Sequence, residues 1–232
     1  MKKSFSPADP KPARLIIDAP RDGAANMAAD EALFHAAAQI PFAATLRLYS
    51  WNPSALSLGR RQKQEGMNTE KCRAMGIDVV KRIGGGAAVY HGDDITYCFV
   101  SRNDLLAVPT GEQWHAAFSL FLKKLGLKPD AVAACDSYNG NACFACAAAD
   151  EPTIGGKKFV GSARRKSKNV FLQHGSILLS PQPDFLRELV PGAEADASTG
   201  LKTLLPSLTR DAAHTALIAA ISQTFSLRFP PA

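Results

Sequence analysis

No apolar run in this chain of 232 residues reaches the roughly 18 needed to cross a bilayer. The opening Met1-Lys2-Lys3-Ser4-Phe5-Ser6-Pro7 is basic, but no apolar stretch follows it, so a secretory leader is not expected. There is no internal repeat, no low-complexity block and no convincing linker, which argues against solenoids and tandem modules. The five cysteines (Cys72, Cys98, Cys135, Cys143 and Cys146) are an odd number in a chain too long to need a disulfide framework. These absences predict a soluble, cytoplasmic protein with no membrane association and with most thiols free.

Several familiar site signatures are missing too. Gly84-Gly85-Gly86 is followed by no Lys-Ser or Lys-Thr, so it is not a phosphate loop. A strand rather than a helix is expected after it, so it is not a dinucleotide turn either. Cys143 and Cys146 form a C-x-x-C, and Cys135 and His174 are at hand, but no second C-x-x-C exists; no metal is expected. The motif does not open a helix after a strand, which disfavours a thiol–disulfide role. Arg164, Arg165, Lys166 and Lys168 form a basic patch without interleaved aromatics, so nucleic acid is not the expected partner. The patch reads as a solvated turn or as a dock for an acidic protein or a phosphate-bearing arm.

Hydrophobic residues make up 46% and charged residues 21%, enough for a packed core and too apolar for disorder. The balance of 27 basic against 21 acidic residues, +6, favours acidic partners without choosing among them. Residues 1–12 read as a flexible tail and 13–232 as a single α+β domain with a mixed, mostly antiparallel sheet flanked by helices. Strands are expected at 13–18, 45–49, 55–58, 78–82 and 95–100. Strand 45–49 alternates Leu46 and Leu48 with Thr45, Arg47 and Tyr49, as a half-buried strand would. Helices are expected at 26–38, 69–75, 111–125 and 211–225, with a helical turn at 185–189. In 111–125, Trp114, Phe118, Phe121 and Leu125 fall on one face. Residues 134–150 read as an exposed loop. Gly155-Gly156 signals a hairpin ahead of a strand at 158–163, and two further strands, 169–172 and 176–179, flank His174.

The candidate chemistry centres on Cys143 and Lys158. A free thiol is mostly protonated at neutral pH, and a nearby ammonium stabilises its thiolate. The 15-residue separation permits contact without requiring it. Three consecutive glycines suit either a loop on which a ligand lies against bare backbone or a bulged hairpin. Arg82 reads as an anion ligand or a surface charge. His91 and His174 read as ligand contacts or as structural hydrogen-bonding residues. Cys72 and Cys98 read as small core residues.

Taken together, several segments resemble the lipoate-protein ligase and octanoyltransferase family, from about Arg14 to the last helix. Asn26 through Leu33 is similar to the family's first helix. Leu46 through Trp51, then Leu56 through Gly59 with Gln62 after them, resemble its next strands. Lys81 through His91 resembles its Arg-Arg-x-[Ser/Thr]-Gly-Gly-x-Ala-Val-x-His motif, with Lys81, Gly84 and Ala87 as departures. Gly156-Lys157-Lys158-Phe159-Val160-Gly161-Ser162-Ala163 resembles its lysine motif, with Arg164 in place of the common Gln. Leu172-Gln173-His174-Gly175-Ser176-Ile177 resembles the strand closing the acyl site.

The resemblance implies the fold shared with biotin-protein ligases. A Cys-Phe pair ahead of the lysine motif resembles one octanoyltransferase branch, although Ala147-Ala148 departs from the common Pro-Ser after it. In that branch the cysteine carries the acyl group as a thioester. Cys143 and Lys158 are then the catalytic pair. Arg82, Gly84, Gly85, Gly86, His91, Gly161, Ser162, Ala163, His174 and Gly175 are the substrate-binding residues. The implied reaction moves an octanoyl or lipoyl group from octanoyl-acyl carrier protein to a lysine of an apo lipoyl-domain protein. Glycine cleavage H protein and a dehydrogenase E2 subunit are such acceptors, and the reaction needs no cofactor. The other readings are a lipoate-protein ligase using ATP and Mg, a non-catalytic acyl- or lipoate-binding module, and a relay between two lipoyl-domain proteins.

Overall fold

The computed structural model describes residues 9–130, 141–145, 147–148, 151–193 and 198–230. Strand β1 (Lys11–Ile17) begins two residues earlier than the sequence suggests, inside the expected tail. Asp22 caps helix α1 (Gly23–Ala36), its carboxylate accepting from the Ala25 amide at 2.7 Å, so the helix starts three residues before Asn26. Then come β2 (Ala44–Tyr49), β3 (Ala55–Leu58), α2 (Thr69–Ala74), β4 (Asp78–Lys81), β5 (Val89–His91) and β6 (Asp94–Arg102). Helix α3 (Gly111–Lys124) opens on a capping box in which Thr110 and Gln113 bond each other's amides.

The hairpin expected at Gly155-Gly156 joins β7 (Thr153–Ile154) to β8 (Lys157–Lys158). Both glycines have positive φ, 58° and 74°, the pairing that a tight hairpin turn requires. Strands β9 (Val160–Lys166) and β10 (Val170–Leu178) follow, then the short helices α4 (Leu186–Leu189) and α5 (Leu201–Leu204), helix α6 (Arg210–Phe225) and β11 (Leu227–Arg228). The strands expected on either side of His174 are one continuous strand, β10, antiparallel to β6 over its whole length.

The large sheet has the order β11-β1-β2-β6-β10-β9, parallel at β11-β1 and β1-β2 and antiparallel elsewhere. A smaller sheet, β4-β3-β5, carries α2 and α4 on its apolar side through Leu56, Leu58, Cys72 and Leu189. Helices α3 and α6 cover one face of the large sheet. There Trp114, Phe118, Phe121 and Phe225 pack on Leu46, Leu48, Tyr97 and Phe99. Each fully buried aromatic of this kind contributes about 1.5–3 kcal/mol through area removed from water.

The other face is also covered, which corrects the half-buried reading of β2: all six of its residues are buried. Helix α1 lies on this side with Phe34 against Tyr49, Trp51 and Cys98. Its polar positions Asn26 and Asp30 also point inward and take up Arg47. The guanidinium bonds Asp30 at 2.7 Å, Asn26 Oδ1 at 2.7 Å and Asp18 at 2.7 Å. A buried cation is tolerated only when paired in this way.

Candidate active site

The hairpin turn points Lys158 inward, where only 4% of its side chain remains exposed. An ammonium buried to that degree needs compensation. Its Nζ donates to Glu151 Oε2 at 2.7 Å and to the Cys143 carbonyl at 2.7 Å, and stands 3.8 Å from Cys143 Sγ. The thiol and amine paired by the sequence reading therefore meet. Glu151, 3% exposed, was not foreseen. Its Oε1 accepts from the Ser162 amide at 2.7 Å and its Oε2 from the Ala148 amide at 3.0 Å.

Cys143 opens one turn of 3-10 helix. Its amide donates to Ala88 O at 2.9 Å, while the Ala88 amide donates to Asn141 O at 2.7 Å, so the cysteine loop is laced to the exit of the glycine loop. Phe144 is buried with Val89 and Leu178, and its ring centroid lies 5.4 Å from the Lys158 ammonium. Ala142, Phe144 and Ala147 are buried, which corrects the exposed-loop reading for the described part of 134–150. Cys135 and Cys146, on which a metal or disulfide reading of the C-x-x-C would rest, lie outside the described residues. Among the described residues no group of three His, Cys, Asp or Glu could hold a metal ion.

Gly161 faces the sulfur. A Cβ there would sit 3.1 Å from Cys143 Sγ and 3.2 Å from the Phe144 ring, closer than ordinary van der Waals contact, so glycine leaves the thiol its space. The thiol looks into a narrow cleft. Met27, Tyr49, Trp51 and Val89 form its apolar wall, and Ser57, Thr96 and Ser176 add hydroxyls. Of the residues expected to contact substrate, Arg82, His91, Gly161, Ser162, Ala163, His174 and Gly175 line it.

Arg82 is not a surface charge, which corrects one of its two sequence readings. It is buried, and its N–H groups go to Ser57 O and Oγ, Gly85 O and Ala87 O at 2.6–3.2 Å. It shapes the glycine loop from inside. Burial pulls its pKa down, against the field of Cys143, which pushes it up.

The two histidines are each tied to a carboxylate. His91 Nδ1 meets Asp94 at 2.9 Å, its Nε2 meets Ser57 Oγ at 2.7 Å, and its ring stacks on Trp51 at 4.2 Å. Burial holds its pKa below the ordinary 6.5, outweighing Asp94, so the ring is neutral at pH 7. His174 Nδ1 meets Asp30 at 3.0 Å, and its Nε2 lies against Gly84, where a Cβ would stand 2.3 Å away. Burial alone would raise the Asp30 pKa; His174, Arg47 and Tyr49 outweigh it and hold the carboxyl below its usual range.

Gly85 and Gly86 lie on the far side of the glycine loop. They floor a separate open groove with Ile83, edged by Arg60, Arg61, Arg164, Arg165 and Lys166. The basic patch seen in the sequence thus continues across to the loop after β3.

The Lipoyl protein ligase A/B catalytic domain matches residues 22–225, and the chain belongs to that family. An octanoyltransferase LipM of Clostridioides difficile (strain 630) is 36% identical over 187 residues, 76% of this chain and 69% of that relative. A lipoate-protein ligase A crystallised with ATP superposes at a TM-score of 0.80 with 22% identity, over 95% of this chain and 88% of that one. A bipartite lipoate protein ligase of Thermoplasma acidophilum, studied with its E2 lipoyl domain, superposes at 0.73 with 19% identity, over 95% and 86%. The two structural likenesses establish the fold, the mixed α+β architecture expected from the sequence. No helix among the described residues is long and apolar enough to cross a membrane.

Proposed function

We propose that this protein is an octanoyltransferase working through a Cys143 thioester, with octanoyl-acyl carrier protein as donor and a lysine of a lipoyl-domain protein as acceptor. The observation that carries this reading is the Cys143 sulfur, 3.8 Å from a buried ammonium, at an apolar-walled cleft. The relatedness to proteins named octanoyltransferase LipM supports the acyl group.

In the first step the Cys143 thiolate attacks the donor carbonyl. A C–S bond to Cys143 forms, the C–S bond to the carrier breaks, and the departing carrier thiolate takes up the proton that Cys143 gave. Lys158 faces the sulfur as a fixed positive charge throughout. In the second step the neutral lysine amine of the acceptor attacks the acyl-enzyme. A C–N bond forms, the C–S bond breaks, and the proton lost by the amine returns to Cys143. A thioester is already activated, so the scheme calls for neither ATP nor Mg.

The basic groove beside the glycine loop is the docking face for the donor in this reading. Five cationic side chains edge it, and acidic carriers complement them. Glycine cleavage H protein and E2 subunits are the acceptor types, and the cytoplasm, where the thiol stays reduced, is the compartment.

Intact mass after incubation with octanoyl-acyl carrier protein without ATP tests the proposal, beside Cys143→Ala. An octanoyl adduct on the unmodified protein alone, released by hydroxylamine, is the expected result. An adduct on neither protein, with acceptor modification appearing only when ATP and lipoate or octanoate are supplied, would replace it with adenylate-forming ligation.

A further inference from the structure

The Cys143–Lys158 pair has a third member. Glu151 is buried to the same degree as Lys158, bonds its Nζ at 2.7 Å, and reaches back to the Ser162 and Ala148 amides. A carboxylate in that position does two things. It neutralises an ammonium that burial would otherwise drive toward the neutral amine. It also fixes the direction in which the remaining N–H groups point, here at the Cys143 carbonyl and sulfur. A nucleophile, its partner and a third group orienting that partner form a recurring logic of covalent catalysis.

We infer that Glu151 is a positioning residue that keeps Lys158 charged and aimed at Cys143, so that the thiolate forms against a permanent cation. For acyl transfer this rests on the acyl-enzyme reading above. For the state of the thiol it does not. Among the described residues, the other charged or titratable groups lining the cleft beside the pair are Arg82 from the glycine loop, His91 on β5, Tyr49 on β2 with its hydroxyl on Asp30, and His174 on β10 with Asp30 behind it. The Arg82 donors are committed to backbone and hydroxyl oxygens, and each histidine is tied to its own carboxylate, so none of these substitutes for Glu151 at the Lys158 ammonium.

The test is the pH dependence of Cys143 alkylation by iodoacetamide, resolved by peptide mass, in the unmodified protein, Glu151→Gln and Glu151→Asp. Gln keeps an acceptor for the Ser162 amide and removes only the charge. With Glu151→Gln, Lys158 loses its proton more easily, the thiolate loses its cation, and the alkylation midpoint rises by about one unit, a tenfold loss of thiolate below the midpoint. Asp restores part of that shift. A midpoint that stays put or falls in Glu151→Gln would overturn the inference, because Lys158 would then hold its charge without Glu151. Should Glu151→Gln not fold, the melting temperatures of Lys158→Met and of Lys158→Met with Glu151→Gln decide. Removing the stranded carboxylate is expected to raise the melting temperature of the double variant above the single. Equal or lower melting overturns the pairing. An unmodified protein that shows the alkylation shift against Glu151→Gln yet takes no octanoyl group would sink the transfer reading while upholding the role of Glu151 at the thiol.

Discussion

Asp30 and His174, 144 residues apart in the chain, meet at 3.0 Å beneath the cleft, and the same Asp30 carboxylate holds Arg47 at 2.7 Å and the Tyr49 hydroxyl at 2.8 Å. One buried acid on α1 thereby ties the helix to β2 and β10 and sets which nitrogen of His174 carries the proton: Nδ1 donates, and Nε2 faces Gly84. Removing its charge strands Arg47 with Asp18 as its remaining carboxylate. Asp30→Asn is expected to destabilise the protein by about 3 kcal/mol, near the lower bound for breaking a buried ion pair, read as a lower urea midpoint.

Gly161→Ala places a methyl group within 3.1 Å of the thiol and 3.2 Å of Phe144. The acylation rate of Cys143 is expected to fall by at least about tenfold, which corresponds to about 1.4 kcal/mol at the transition state. A normal acylation rate in single-turnover mass measurements would show that the sulfur moves aside.

Charge reversal at Arg60 and Arg61 addresses the groove alone, since neither residue lines the cleft. The double variant Arg60→Glu with Arg61→Glu is expected to raise KM for octanoyl-acyl carrier protein while leaving turnover of a small octanoyl thioester unchanged. The KM of the unmodified protein should rise with salt, because screening weakens steering between exposed charges. Equal losses on both donors would remove the groove from donor recognition.

Acid should unfold the protein in two stages. Burial lowers the pKa of both His91 and His214 from the ordinary 6.5, so the unfolded chain binds protons that the folded one refuses. Stability is therefore full above about pH 7 and falls as pH drops below 6.5. Asp30 and Asp93, held below the ordinary 3.8, contribute stability that is present above that pH and lost as pH falls through their folded values. His214→Gln, remote from the cleft, is expected to flatten the first stage, measured as the urea midpoint between pH 7 and pH 5.

Local pattern revealed what local forces decide. The 3.6-residue spacing of Trp114, Phe118 and Phe121, the bounds of β3 and the double-glycine hairpin all stand in the structure where the residues placed them. Cys143 and Lys158 were paired by chemistry and by resemblance. Partners distant in sequence were harder to see. Arg47 looked like the wet side of a strand because Asp18, Asn26 and Asp30 are 17 to 29 residues away. Arg82 looked outward because its acceptors are carbonyls, which carry no side-chain signature. The gap expected between the two strands flanking His174 is not there: Gly175 lies inside β10, packed against Gly161 O and the Tyr97 ring. The short α5 and β11 exist through tertiary bonds, Lys202 N to Leu179 O and Lys11 N to Ser226 O among them. Glu151 had one available signal: an interior lysine needs an acid, and Asp150 and Glu151 are the acids between Cys143 and Lys158.

Strand β9 carries cleft residues and groove residues in direct succession, Gly161 to Ala163 and then Arg164 to Lys166. Three steps along an extended chain span about 10 Å. The strand is therefore a ruler. In the proposed transfer, a donor held at the groove would sit at a set reach from the sulfur, so the length of its arm would be read before the acyl group itself.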